Sequence, residues 1–134
     1  MNYTSFHSTK PLILIVEDDE SIAEVISLLI AEETSYQPAI ADSGEAALQV
    51  LHELPRVPQL FILDYRLPDT TGIQLYDYFQ SQPQYKDTPT LLMSASKPVE
   101  EIEPRDIIMI CKPFDLDDFL AKIYHLLKHD TVTV

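Results

Sequence analysis

The chain holds a single cysteine, Cys111, among its 134 residues. One thiol closes no intrachain disulfide and supplies no cysteine zinc site, so neither staple is available to this fold. Cys111 lies in the apolar run IIMIC, where it reads as a small buried hydrophobe rather than a reactive thiol. Basic residues are few beside acidic ones: nine Lys and Arg stand against twenty-two Asp and Glu, for a formal net charge of −13. That excess repels nucleic acid and anionic membrane surfaces, so neither is expected as a direct partner. No apolar run approaches the roughly 20 residues that cross a bilayer. The opening MNYTSFHSTK also lacks the basic and apolar regions of a secretory signal. A cytoplasmic protein is the expectation. Internal repeats and low-complexity segments are absent too.

What the sequence does have is a regular alternation of apolar runs and amphipathic stretches, at a length that suits one domain. A chain of this size can bury roughly two-thirds of its unfolded surface, enough for a core without cross-links. LILIVE, residues 12–17, is a continuous apolar run of strand length that stops at Glu17, Asp18, Asp19 and Glu20. Such a run, buried on both faces, suits a central parallel strand. Ile22, Val25, Ile26, Leu29 and Ile30 then recur at helical spacing, with Asp19 placed to cap the helix they define.

The pattern repeats. YQPAIA, residues 36–41, is a weaker strand whose Pro38 favours an edge, and Asp42 with Glu45 has the spacing of a capping box opening a helix over Ala46, Ala47, Val50, Leu51 and Leu54. Pro55 and Pro58 close that helix. QLFILD is a third strand, ending on Asp64; Thr71 and Gln74 fit a second capping box, before a helix that turns Ile73, Tyr76 and Phe79 inward. TPTLLMSA, residues 88–95, is a fourth strand and IIMIC a fifth. Asp115 opens a last helix carrying Leu116, Phe119, Leu120, Ile123 and Leu127. Apolar strands alternating with amphipathic helices predict an α/β fold with a parallel sheet covered on both faces. Residues 1–10 and 129–134 read as tails around a domain spanning 11–128.

In an open doubly wound sheet, ligands bind beyond the carboxyl ends of the strands, where strand order reverses. The polar residues there are Glu17, Asp18 and Asp19 after the first strand, Asp64 after the third, Ser94 after the fourth, and Lys112 with Pro113 after the fifth. Each has an ordinary explanation alone: Asp19 caps a helix, Lys112 snorkels to solvent, and serine ends many strands. Together they form a site. If strands one and three are neighbours, Glu17, Asp18 and Asp64 crowd their charges, and magnesium is the cation suited to that oxygen-only set. Lys112 beside them becomes a charge able to hold a phosphoryl oxygen.

This set, in this order, resembles the receiver domain of two-component response regulators over about residues 11–128. Asp64 in LDYRLPDTTG matches the phosphoacceptor, Glu17 and Asp18 the acidic pair, Ser94 the hydroxyl residue and Lys112 in KPF the lysine, with Pro68 and Gly72 placed as in the family's loop. The resemblance implies a flavodoxin-like five-stranded sheet of order 2-1-3-4-5. It also implies self-catalysed transfer of phosphoryl to Asp64 from a sensor histidine kinase or phosphotransfer protein, with no enzymatic turnover beyond phosphorylation and dephosphorylation of that residue. By the same resemblance, Glu17, Asp18, Asp64 and the backbone carbonyl of Arg66 hold magnesium. Ser94, Ala95 and Lys112 bind the phosphoryl group, and the Lys112-Pro113 bond is cis. Arg66 and Ser96 occupy positions that in this family tune the lifetime of the phosphoryl group.

The sequence departs from the family twice. The position three before the lysine, usually aromatic and coupled to Ser94 as the switch, is Met109. Residues 95–106 must hold the whole crossover between strands four and five, and Pro98 and Pro104 leave VEEIE for its helix, so a shortened fourth helix is expected. Output is expected through a downstream protein partner or an output module in cis, the initial methionine and tails favouring the stand-alone form. Three alternatives remain. A receiver-fold interaction module could signal without phosphorylation. A haloacid-dehalogenase-type phosphohydrolase would need an acid where Arg66 stands. A flavodoxin-type electron carrier would need a hydroxyl- and glycine-rich loop where EDDES stands.

Overall fold

The computed structural model describes residues 9–127. In chain order it comprises β1 (Leu12–Val16), α1 (Glu20–Glu33), β2 (Gln37–Ala41), α2 (Gly44–Glu53), β3 (Leu60–Asp64), α3 (Gly72–Gln80), β4 (Thr90–Ser94), α4 (Val99–Ile102), β5 (Ile108–Cys111) and α5 (Leu116–Leu127). All strand pairs are parallel, in the order β2-β1-β3-β4-β5. This is the doubly wound, flavodoxin-like arrangement expected from the resemblance. Parallel neighbours need crossovers, and each crossover lays a helix on a face of the sheet.

The strand period of two divides the core into two layers. Leu12, Leu14, Val16, Phe61, Leu63 and Leu92 face α2 and α3, where they meet Ala47, Val50, Leu51, Ile73, Leu75, Tyr76 and Phe79. Ile13, Ile15, Leu60, Ile62, Leu91 and Met93 face α1 and α5, against Ile26, Ile30, Phe119, Ile123, Leu126 and Leu127. Phe61 and Phe79 stack with ring centroids 4.3 Å apart, and Phe114 stacks on Phe119 at 5.0 Å. Each such buried ring or aliphatic chain contributes on the order of 1.5 to 3 kcal/mol. Pro38 lies on β2, which pairs with β1 alone, so its missing N–H costs no ladder bond on the open side.

Helix starts follow local chemistry, with one correction. Asp19 caps α1 by accepting from the Ile22 amide, and Thr71 and Gln74 form the expected capping box at α3. For α2 the expected Asp42–Glu45 box is not made. Ser43 is the N-cap and accepts from the Ala46 amide at 3.0 Å, so the helix begins one residue later and Asp42 is left exposed. Serine and aspartate cap about equally well, so spacing to a glutamate does not separate them. Some apolar residues also fall outside the core. Val25 is half exposed while Ala23 takes its place in the α1 stripe, and Leu116 is exposed where α5 begins. β5 is an edge strand, so Ile108 is exposed and Cys111 only half buried. α4 is a single turn, as its proline-bounded segment predicts. The tails expected at 1–10 and 129–134 fall almost wholly outside the described residues; at Lys10 the backbone carbonyl accepts from Arg56. Among the described residues no helix is long and apolar enough to cross a membrane.

Candidate functional site

Strand order reverses between β1 and β3, and the carboxyl ends of those two strands carry the acidic residues. Glu17 follows β1 and is held by its own backbone, its amide donating to the Ala41 carbonyl at 3.0 Å. Its side chain is 1% exposed, low enough that its charge must be compensated from within the protein. Lys112 Nζ donates to Glu17 Oε1 at 2.9 Å, and the Asp19 amide donates to Oε2 at 3.0 Å. Asp64 closes β3, fixed by the Tyr65 amide donating to the Met93 carbonyl and by the ladder to β4. Lys112 Nζ also reaches Asp64 Oδ1 at 3.1 Å, so one ammonium bridges two buried carboxylates. Asp18 completes the trio from the exposed side: oxygen atoms of Glu17, Asp18 and Asp64 all lie within 4.8 Å of one another.

Burial and charge crowding together favour the protonated form of the acceptor carboxyl. Burial, followed by the neighbouring Glu17 charge, pushes the Asp64 carboxyl up to about 6, against the lowering pull of Lys112. For Lys112, burial works against the charged form, but hydrogen bonds to Glu17 and Asp64 outweigh it and raise the ammonium above its ordinary value. One lysine thus does not neutralise three carboxylates. An oxygen-only donor set with surplus negative charge, open on the Asp18 side, fits a hard divalent cation of the magnesium type.

The other residues expected at the site stand on or just past β4 and β5 and in the loop after β3. Ser94 ends β4 and is buried; its hydroxyl accepts from the Ser96 amide at 3.1 Å and lies 3.4 Å from the Ser96 hydroxyl. Ala95 is exposed beside it. The Lys112 amide donates to the Ser94 carbonyl, which sets the lysine one strand away from the serine, and the Lys112-Pro113 bond is cis. Arg66 is exposed and lies in a loop closed by its bridge to Thr71, its guanidinium 5.7 Å from the Tyr65 ring centre. Met109 sits in β5 opposite Leu92 and packs against the α2 and α3 layer of the core. Gly72 explains the tightness of the acceptor loop: a Cβ there would lie 2.6 Å from the Asp64 carbonyl oxygen and from Leu92 Cδ1. No positive φ is involved, so close approach alone excludes a side chain.

Against known proteins, the family model for the response regulator receiver domain matches residues 13–124. The chain belongs to the response regulator receiver domain family. Among curated relatives, this receiver is 30% identical over 115 residues to the phosphate regulon transcriptional regulatory protein PhoB of Escherichia coli, covering 83% of the chain and 49% of that protein. It is 32% identical over 120 residues to the response regulator ArlR of Staphylococcus epidermidis, covering 87% and 52%. The receiver therefore spans about half the length of these relatives. Among solved structures, the non-phosphorylated HemR receiver domain of Leptospira biflexa superposes with a TM-score of 0.76 at 30% identity, covering 88% of this chain and 94% of that one. Chemotaxis protein CheY4 of Vibrio cholerae gives 0.79 at 24% identity, covering 89% and 100%, and that likeness speaks for the fold. Receiver domains work with histidine kinases and output domains and bind magnesium at an acidic pocket, and the trio in this receiver could hold such an ion.

Two tertiary links in the receiver were not foreseen from sequence. Asp69, in the loop after β3, accepts from the Gly44 and Glu45 amides at 2.8 and 2.9 Å, giving α2 a second cap from another loop. Tyr65, directly after Asp64, donates its hydroxyl to Glu101 on α4 at 2.6 Å. Neither pair has a sequence signature, since the partners lie 24 to 36 residues apart.

Proposed function

We propose that Asp64 is the phosphoacceptor of a two-component phosphorelay, that its phosphoryl group comes from a sensor histidine kinase or phosphotransfer protein, and that its state switches binding to a downstream protein or an output module in cis. The observation that carries this reading is the placement of the Asp64 carboxylate 3.1 Å from Lys112 Nζ, with Glu17 and Asp18 oxygens within 4.8 Å. In the transfer, an Asp64 oxygen forms a bond to phosphorus while the phosphorus–nitrogen bond of the donor phosphohistidine breaks. The electron pair stays on the imidazole nitrogen, which takes up a proton.

Phosphoryl transfer asks the protein for positioning and for charge compensation rather than for a strong nucleophile. The β3 ladder and the Gly72 contact hold Asp64 in place. Lys112 is within reach of an oxygen on the incoming group, and the Ser94 hydroxyl and Ala95 amide are the donors for its other oxygens. Glu17, Asp18, Asp64 and the Arg66 carbonyl would hold magnesium, which when bound supplies positive charge to the acceptor and phosphoryl oxygens. In hydrolysis a water oxygen bonds to phosphorus and the phosphorus–Asp64 oxygen bond breaks; its electron pair stays on the Asp64 carboxylate, and inorganic phosphate leaves with a proton from the water released to solvent. No external substrate is turned over, and a cytoplasmic location fits the kinase partnership. A second reading, a receiver-fold module that signals without phosphorylation, is favoured by Met109 at the usual aromatic position and by the one-turn α4.

Intact mass after incubation with acetyl phosphate separates the two readings. One phosphoryl adduct is expected in magnesium and none in a chelator. A protein of unchanged mass in magnesium supports the second reading.

A further inference from the structure

α4 is weakly anchored by apolar contact. It is one turn long, buries no side chain completely, and its N-cap Pro98 makes no side-chain hydrogen bond. Ile102 reaches the α2 and α3 core layer; polar bonds supply the remaining ties. Arg105 donates to the Glu101 carbonyl and is forked onto Asp77 of α3 at 2.8 and 2.7 Å. The other tie is the Tyr65 hydroxyl on Glu101 Oε1 at 2.6 Å. Tyr65 is a fixed post for that bond, because its amide donates to the Met93 carbonyl at 2.8 Å and its carbonyl accepts from the Gly72 amide at 2.9 Å. The residue covalently joined to Asp64 thus holds the element that follows Ser94.

We propose that the Tyr65–Glu101 hydrogen bond is a latch that keeps α4 against the acceptor strand in the unphosphorylated protein and opens when Ser94 and Ala95 bind a phosphoryl group on Asp64. The proposal rests on the reading of Asp64 as phosphoacceptor. The Ser94 hydroxyl now accepts from the Ser96 amide. Turning it, with the Ala95 amide, toward Asp64 shifts a short connection to α4, a turn with little buried surface to resist. A hydrogen bond of 2.6 Å is lost once its atoms separate beyond about 3.5 Å, so a small displacement opens it. Met109 has no donor with which to make such a bond. Tyr65, packed against the same core layer as Met109 and Ile102, carries the hydroxyl instead.

A contact made in one state only biases the equilibrium against the other, so breaking the latch should favour the phosphorylated form. The test is affinity for beryllofluoride in magnesium, as a phosphoryl analogue, for wild type, Tyr65→Phe, Glu101→Ala and the double variant, together with amide exchange of the analogue-free proteins. Each single variant is expected to bind about five- to tenfold more tightly, the double variant no more tightly than either. Exchange over residues 99–103 should rise in each variant, and in wild type on adding the analogue. Wild-type affinity in both single variants, or fully additive effects in the double, overturns the latch while leaving the phosphoacceptor reading intact. Wild type that binds no beryllofluoride overturns that reading and the coupling with it, and unchanged exchange in the variants overturns the tether.

Discussion

At the residue scale the site depends on close backbone approach as much as on charge. Gly72 touches the Asp64 carbonyl, and a methyl group at position 72 has nowhere to go between that oxygen and Leu92. Gly72→Ala should therefore lower stability by about 1 to 3 kcal/mol, read as a lower urea midpoint at unchanged slope. A variant as stable as wild type would show that the loop relaxes freely. Arg66 is exposed two residues past Asp64, its guanidinium near the Tyr65 ring. Its removal should change how fast water reaches a phosphoryl group on Asp64, and an unaltered decay rate in Arg66→Ala would count against that role. As a converging set, Glu17, Asp18, Asp64 and Lys112 were legible in the sequence because they stand where apolar runs end, and strand ends converge in a doubly wound sheet. Tyr65 and Asp69 were not, since their partners are set by the packing of distant loops rather than by spacing.

At the scale of elements, α2 shows how one loop can stabilise another's helix. Asp69 accepts from the Gly44 and Glu45 amides, and these bonds hold its carboxyl below the usual 3.8. The folded protein then binds that proton less readily than the unfolded chain, so the contribution is present above about pH 4 and is lost as the pH falls through the lowered value. Asp69→Asn should be less stable than wild type near pH 7, and the gap between their urea midpoints should narrow toward about pH 3. A gap that stays constant would place the effect elsewhere. Helix stripes were readable to within a residue or two, but not the choice of Ser43 over Asp42 as cap, since both side chains suit that task. Val25 and Leu116 carry the right spacing, yet they lie where no neighbouring element covers them. Periodicity reports a face; it does not report how far a neighbour extends.

For the molecule as a whole, alternating apolar runs established an α/β fold with a parallel sheet. The strand order came from the family resemblance, because periodicity says nothing about which strands are neighbours. With −13 net charge and three carboxylates drawn together, the whole receiver should gain stability from a divalent cation that binds the folded state alone. Magnesium at about 100 times its dissociation constant would add roughly 2.7 kcal/mol and raise the thermal midpoint by several degrees. Asp18→Asn should lose most of that rise, and an equal rise in the variant would place the ion elsewhere. The central claim, that Asp64 takes the phosphoryl group, is tested most directly by locating the adduct. After incubation with acetyl phosphate and magnesium, borohydride reduces an aspartyl phosphate to homoserine, which peptide mass then places. Homoserine at position 64 is the predicted result. Homoserine at Asp18 or Asp69, with an unmodified position 64, would contradict the account.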